Sequence, residues 1–199
     1  MDDDTPQTGI VGIFQKLGIV AGAIAAIIGL YQIFFPEAKF ILYENDNYGI
    51  KVNRHENWLV QENDSKITKD ARFIEVKFKK LSNSNTCPIE MILNVDELQD
   101  STLSLEEYKN LIIRRIKTNN PGSKIKDESN FSTTLSNHPA YKLTYRKQED
   151  QCNSRVMESG TVWKSKAYYI VYIAKDDKYS KFLSTAEKMI KSFQFTDKN

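Results

Sequence analysis

The sequence of 199 residues is poor in the residue types that metal, redox and disulfide-rich proteins need. It has two cysteines, too few for a disulfide-dense scaffold, and its two histidines, His55 and His138, lie far apart without a nearby Cys or His partner. It also lacks a charge of one sign, since 28 Lys and Arg face 26 Asp and Glu. A polybasic nucleic-acid binder needs such an excess to neutralise phosphates. We therefore expect no metal, no cofactor and no nucleic-acid partner.

Catalytic motifs are missing as well. The sequence contains no G-x-S-x-G elbow, no Walker loop and no G-x-G-x-x-G. The segment 44–49 superficially resembles a calcium loop, but Tyr48 occupies a ligand position and no Glu closes the loop. We expect the protein not to be an enzyme. An enzyme would require a cleft that joins distant residues, such as His138 with Asp or Glu side chains.

One long apolar run is present near the start. Leu17–Phe35 are nineteen residues without a charge, and Pro36 follows them. At about 1.5 Å per residue a helix of this length spans roughly 28 Å, close to the hydrocarbon thickness of a bilayer. A cleaved signal peptide would need a basic start and a small-x-small cleavage site, and a buried core helix would be shorter. The run therefore predicts one transmembrane helix, preceded by a short tail at residues 1–16.

Small residues follow a four-residue spacing inside this run. Gly18, Gly22 and Ala26 would lie on one face of the helix. Such a face lets two membrane helices approach closely and gain dispersion contacts, although Gly and Ala are also common in membrane helices generally. We predict that these residues pack against another transmembrane helix.

The orientation of this helix is ambiguous from charge. Lys16 is the single basic side chain before the run, whereas Lys39, Lys51 and Arg54 follow it. The count favours a cytoplasmic C-terminal domain, but long domains translocate largely regardless of loop charge.

Residues 37–199 read as one soluble domain with alternating strands and two helices. Apolar residues at every second position indicate antiparallel strands with one buried face. Ala167–Ala174 is apolar on both faces, as a central strand covered on two sides would be, and a short polar break after Trp163 predicts a hairpin. The alternating positions are Ile74, Val76, Phe78, Ile89, Met91, Leu93, Val95, Tyr141, Leu143 and Tyr145.

Two amphipathic segments interrupt the strands. Ser104 and Glu107 form a capping box, and an apolar stripe follows until Asn119. The second segment carries apolar residues from Tyr179 to Phe193 at helical spacing. The order of strands, helix, strands and helix predicts an α+β fold, with helices flanking an antiparallel sheet.

The two cysteines, Cys87 and Cys152, fall in polar stretches between the predicted strands. In an oxidising compartment they would be able to pair and tie two loops together. Neither has a C-x-x-C partner or a triad neighbour, so two free thiols are the default interpretation.

Three basic clusters, one of them at Arg146 and Lys147, complete the candidate residues. Lys77 and Lys79 project from the polar side of a predicted strand, and Arg114 and Arg115 from the polar side of a predicted helix. Solvated faces are the simplest interpretation. The alternative is that they contact anionic lipid headgroups or an acidic partner.

A set of mainly aromatic and apolar residues lies near the two ends of this domain. It consists of Phe40, Tyr43, Glu44, Asn45, Tyr48 to Val52, Trp58, Tyr168, Tyr169, Ile170, Tyr172, Tyr179, Ala186, Met189, Ile190, Ser192 and Phe193. These residues resemble those of PsbP-like domains. The resemblance covers about residues 39–195 and implies an α/β/α sandwich. It transfers no ligand-binding residue to this chain.

Together these features predict a single-pass, membrane-anchored PsbP-like binding module. We expect it to serve as an auxiliary subunit, or as an assembly or stability factor, of a membrane protein complex. Because many relatives are exported, the resemblance places the domain on the extracytoplasmic side. The alternative hypothesis is an extracytoplasmic sensor that holds a small molecule or lipid between sheet and helix.

Overall fold

The computed structural model describes residues 39–68, 71–80, 87–130, 132–149 and 152–196, without the side chains of residues 63–74 and 149. Over these ranges the chain forms two helices, α1 (Leu105–Asn119) and α2 (Asp176–Ser192), and twelve strands. The strands β1 to β12 are, in order, Phe40–Asn45, Ile50–His55, Trp58–Thr68, Ala71–Lys80, Glu90–Glu97, Lys126–Asp127, Thr134–Leu135, His138–Pro139, Tyr141–Glu149, Cys152–Trp163, Lys166–Lys175 and Gln194–Phe195.

Strand β11 lies in the middle of the main sheet. This antiparallel sheet has the order β3-β4-β5-β11-β10-β9-β6, and β10 and β11 are joined by the predicted hairpin. Side chains of β11 alternate between two apolar clusters: Tyr168 and Ile170 lie in one, Tyr169 and Val171 in the other. The prediction of a central strand covered on both faces is confirmed.

Helix α1 covers one face of the sheet. It begins at the predicted capping box, in which the Glu107 backbone N–H donates to Ser104 Oγ and the Ser104 N–H donates to the Glu107 side chain. These bonds satisfy two amide groups that the first helical turn would leave without partners. Tyr108, Ile112 and Ile116 form its buried stripe.

Helix α2 covers the opposite face, where it buries Tyr179, Ala186 and Met189. The α+β prediction of helices flanking an antiparallel sheet is therefore confirmed. Trp58 is 1% exposed and packs in the same cluster.

A second sheet with the order β1-β2-β12 joins the two ends of the domain. Gly49, in the turn between β1 and β2, has φ +63°, a conformation that glycine adopts without strain. Its carbonyl accepts a hydrogen bond from the N–H of Thr196 at 2.8 Å.

The predicted tail at residues 1–16, the predicted transmembrane helix at 17–35 and its packing residues Gly18, Gly22 and Ala26 lie outside the described residues. Among the helices that the structure describes, none combines the length and the apolar character needed to cross a bilayer.

A disulfide joins Cys87 to Cys152, with the Cα atoms 5.7 Å apart. Cys87 precedes β5 and Cys152 begins β10, so the bond links two segments that are separated by 65 positions in the sequence. The default interpretation of two free thiols is therefore corrected. Sequence alone could not show it, because sheet pairing brings the two cysteines together.

The disulfide yields a stability prediction. The double variant Cys87→Ala/Cys152→Ala should lose about 2–4 kcal/mol of unfolding free energy, since the bond restricts the unfolded chain across a long loop. Urea unfolding of the full chain, with and without reductant, measures this loss. Reductant should lower the midpoint of the wild type and leave the double variant unchanged. Equal wild-type midpoints under both conditions would contradict the prediction.

Candidate functional site

Glu158 is a buried carboxyl on the sheet face beneath α1. Its side chain is only 4% exposed, because strand alternation on β10 turns it toward the helix together with Val156. Tyr141 Oη on β9 donates a 2.7 Å hydrogen bond to Glu158 Oε1. Burial raises the pKa of Glu158 to about 7, although the Tyr141 bond and the Arg115 charge oppose the rise. Near neutral pH the carboxyl therefore exchanges between its protonated and ionised forms.

Gly160 makes the Tyr141 contact possible. The two residues lie directly opposite each other in the pairing of β9 with β10. A Cβ atom on Gly160 would lie 2.7 Å from the outer ring atoms of Tyr141. Because glycine leaves this space to the ring, the Tyr141 hydroxyl can reach Glu158 two residues along the strand.

Asp96 on β5 is a second buried carboxyl, also 4% exposed. Tyr108 Oη of α1 donates to Asp96 Oδ2 at 2.9 Å, and Tyr169 Oη of β11 donates to Oδ1 at 3.3 Å. The Arg115 guanidinium of α1 lies 3.9 Å from Oδ2. Burial raises the pKa of Asp96, and these three partners oppose that rise. Asp96 thus ties α1 to the centre of the sheet.

A cleft of about 450 Å³ opens between the C-terminal half of α1 and the strands β9, β10 and β11. Arg115 and Ile112 line it from the helix, and Tyr145, Lys147, Glu158 and Tyr169 from the strands. We call this space the α1 cleft.

A second cleft of about 660 Å³ shares Asn119, Asn120 and Lys147 with the α1 cleft and continues past the end of the helix. It adds Arg146, whose Nε donates to Asp176 Oδ2 at 3.0 Å.

The α1 cleft combines titratable, cationic and apolar side chains. It offers a carboxyl that changes its protonation near pH 7, cationic side chains and apolar walls, the mixture found in small-molecule sites. Neither cysteine is a nucleophile, since both are in the disulfide. Within the described ranges, no three His, Cys, Asp or Glu side chains are grouped to hold a metal ion.

The structure separates the basic residues that the sequence singled out. Both arginines are exposed, but only Arg115 is among the residues that line the α1 cleft. Lys77 and Lys79 lie on β4, toward the other edge of the sheet, and Lys77 pairs with Glu75 at 3.0 Å.

Neither histidine takes part in the α1 cleft. His55 Nδ1 accepts a hydrogen bond from the Asn57 N–H, as a turn cap does. His138 is half-buried and packs against Trp163 and Phe195.

Sequence reasoning missed Glu158, Asp96 and the tyrosines around them. A usable signal was present for Glu158, because its face of the strand also carries Val156, Gly160 and Val162. A charged residue on a buried strand face must be paired or neutralised, and this marks Glu158 as a candidate. Asp96 gave no such signal, because Asn94 shares its face and the apolar Leu93 and Val95 lie on the other.

Comparisons with known proteins agree on the fold. A model of the PsbP-like protein family matches residues 31–195. The solution structure of cyanobacterial PsbP (CyanoP) from Synechocystis sp. PCC 6803 superposes with a TM-score of 0.53 at 14% identity, over 81% of this chain and 95% of that one. The crystal structure of LpqN, involved in cell envelope biogenesis of Mycobacterium tuberculosis, superposes with a TM-score of 0.53 at 14% identity, over 80% of this chain and 92% of that one. No curated protein matches the sequence.

Replacing the glycine beneath Tyr141 should disturb Glu158. In Gly160→Ala the new methyl group displaces the Tyr141 ring, which should cost about 1–3 kcal/mol of unfolding free energy, as overpacking does. The pKa of Glu158 should rise further, because the Tyr141 hydrogen bond lowers it. Carboxyl ¹³C NMR titration measures the pKa. Tyr141→Phe is the matched control: in that background Gly160→Ala should change the pKa of Glu158 little. An equal change in both backgrounds would contradict the prediction.

Glu158→Gln should stabilise the protein at alkaline pH. The folded-state pKa of about 7 lies above the usual glutamate range, so the folded state binds more protons and stability falls as pH rises from about 4.5 to 7. At about 1.4 kcal/mol per pK unit, the ionised carboxyl costs about 3 kcal/mol at pH 8. The variant should regain up to that amount at pH 8 and little at pH 4.5.

Urea unfolding between pH 4.5 and 8 measures this difference. Glu106→Gln, which changes an exposed glutamate in the first turn of α1, is the control and should keep the pH dependence of the wild type. A Glu158→Gln curve parallel to that of the wild type would show that Glu158 does not titrate in this range.

Proposed function

This chain belongs to the PsbP-like protein family, and from that premise we propose that it is a membrane-tethered, non-catalytic binding module. It serves as an auxiliary subunit, or as an assembly or stability factor, of a membrane protein complex. The observation that carries the proposal is the uncharged segment Leu17–Phe35, placed directly before a PsbP-like domain. A segment of this length and composition is typical of a transmembrane helix.

The sequence spacing supports a short tether. Four residues separate Phe35 from the start of β1 at Phe40. Fully extended, they span about 14 Å, so the domain stays close to the lipid surface. Confinement of this kind raises the effective concentration of any partner in the same membrane, and weak contacts then suffice for association. Gly18, Gly22 and Ala26 supply a small-residue face for a neighbouring helix.

The disulfide supports an extracytoplasmic domain. Disulfides form and persist in oxidising compartments, and they are rare in the cytosol. The Cys87–Cys152 bond therefore outweighs the basic residues Lys39, Lys51 and Arg54 that follow the apolar segment. LpqN, which shares the fold, is involved in cell envelope biogenesis, and this agrees with a place for the present domain at the cell envelope.

The tether can be tested by extraction. The full chain should remain in the membrane pellet after alkaline carbonate washing, and Ile27→Lys/Ile28→Lys should move it to the supernatant, because two charges in the apolar segment oppose insertion. The control Ile41→Lys/Leu42→Lys adds the same charges on β1, where both side chains are already exposed, and should stay in the pellet. Release of the wild type by carbonate would overturn the tether.

The accessory role needs its own measurement on the same membranes. After mild detergent extraction the wild type should migrate on native gels with a complex much larger than 23.0 kDa. Gly18→Leu/Gly22→Leu should weaken this association without releasing the chain from the membrane. A chain that migrates alone under every gentle condition, although it resists carbonate, would reject the accessory role while leaving the tether intact.

A further inference from the structure

We propose that the α1 cleft binds a small organic carboxylate, which Arg115 and Lys147 attract and to which Glu158 donates a hydrogen bond. This goes beyond the membrane-tethered role and does not depend on it. The cleft volume of about 450 Å³ lies within the range of small-molecule sites. The occupant is therefore of the size of a short-chain or aromatic acid.

The charges that face the cleft favour an anion. Arg115 and Lys147 line it from α1 and β9, and Glu158 is the acidic side chain among its lining residues. Asp96 contacts Arg115 at 3.9 Å, but it lies behind Tyr108 and Tyr169 and is not part of the lining. This contact leaves 48% of the Arg115 side chain exposed. A cation at the mouth of a cleft attracts a negatively charged ligand.

Ligand binding depends on whether Glu158 is protonated. Tyr141 occupies Oε1, so a protonated Glu158 has its own proton to donate into the cleft. A carboxylate ligand accepts that bond, whereas two ionised carboxylates in one desolvated site repel each other. Ile112, Ile116 and Tyr145 supply apolar surface for the carbon skeleton of the ligand.

Every titratable group around Glu158 is consistent with this assignment. Tyr141 and Tyr145 on β9 and Tyr169 on β11 interact with Glu158; burial raises the pKa of each, so they stay neutral up to alkaline pH. Tyr108 of α1 contacts Asp96 instead, and burial raises its pKa as well. The charge of Asp96 on β5 is offset by Arg115, and Lys147 lines the cleft. Between pH 5.5 and 8.5, protonation of Glu158 therefore governs binding.

The test is calorimetric and NMR titration of the full chain in phosphatidylcholine nanodiscs, with benzoate, hexanoate and pyruvate as probes. At least one probe should bind saturably at pH 5.5 and shift the signals of Tyr145 and Tyr169. The Kd should rise by about 10- to 30-fold at pH 8.5, where only a few per cent of Glu158 keeps its proton. Benzamide, the uncharged analogue of benzoate, should bind far more weakly.

Variants distinguish binding in the α1 cleft from nonspecific attraction between the ligand and surface charges. Arg115→Met and Lys147→Met should each weaken binding about tenfold or more, and Arg114→Met, one residue along the same helix and exposed, should leave it unchanged. Glu158→Gln keeps a donor but cannot ionise, so binding should persist and lose its pH dependence. If Arg115→Met does not fold because the Arg115–Asp96 contact is lost, Lys147→Met tests the same prediction.

Three results would overturn the proposal. They are the absence of saturable binding by all three probes, equal affinity for benzoate and benzamide, and a pH dependence that survives in Glu158→Gln.

Discussion

Strand β11 is apolar on both faces and lies in the middle of the seven-stranded sheet, so the fold must bury it from two sides at once. Complete burial of each large apolar side chain contributes about 1.5–3 kcal/mol. A sheet with one solvated face would lose this contribution on every second residue of β11. The two helices follow from that requirement, because each carries the apolar stripe needed to cover one face.

The two covered faces differ in character. The α2 side packs an aromatic and aliphatic cluster around Trp58, Tyr172 and Phe193. The α1 side places Asp96 and Glu158 among its buried residues, where ionised groups are unfavourable. Tyrosine hydroxyls and Arg115 offset part of that cost, and an apolar replacement would avoid it entirely. Natural sequences depart from such local rules mostly at functional sites, and this singles out the α1 face.

Local patterns in the sequence correctly predicted the features that are determined by residues close together in the chain. Three such features are the capping box at Ser104, the strand Ala167–Ala174 that is buried on both faces, and the hairpin after Trp163. Each follows from residues only a few positions apart. The pairing of β11 with β5, the Cys87–Cys152 bond and the meeting of Tyr141 with Glu158 depend on strand order and register. Periodicity gives the face of a side chain but not the neighbour that it will meet there.

The surface of the domain bears on how it would find a partner. Large apolar side chains that are exposed in the described part of the chain are few and lie on three elements: Ile41 and Leu42 on β1, Leu59 on β3 and Leu111 on α1. Stable interfaces usually bury a contiguous apolar centre, which four such side chains on separate elements do not provide by themselves. Anchoring in the same membrane raises the local concentration of a partner, so under the proposed tether weak contacts through the described surface would suffice for association.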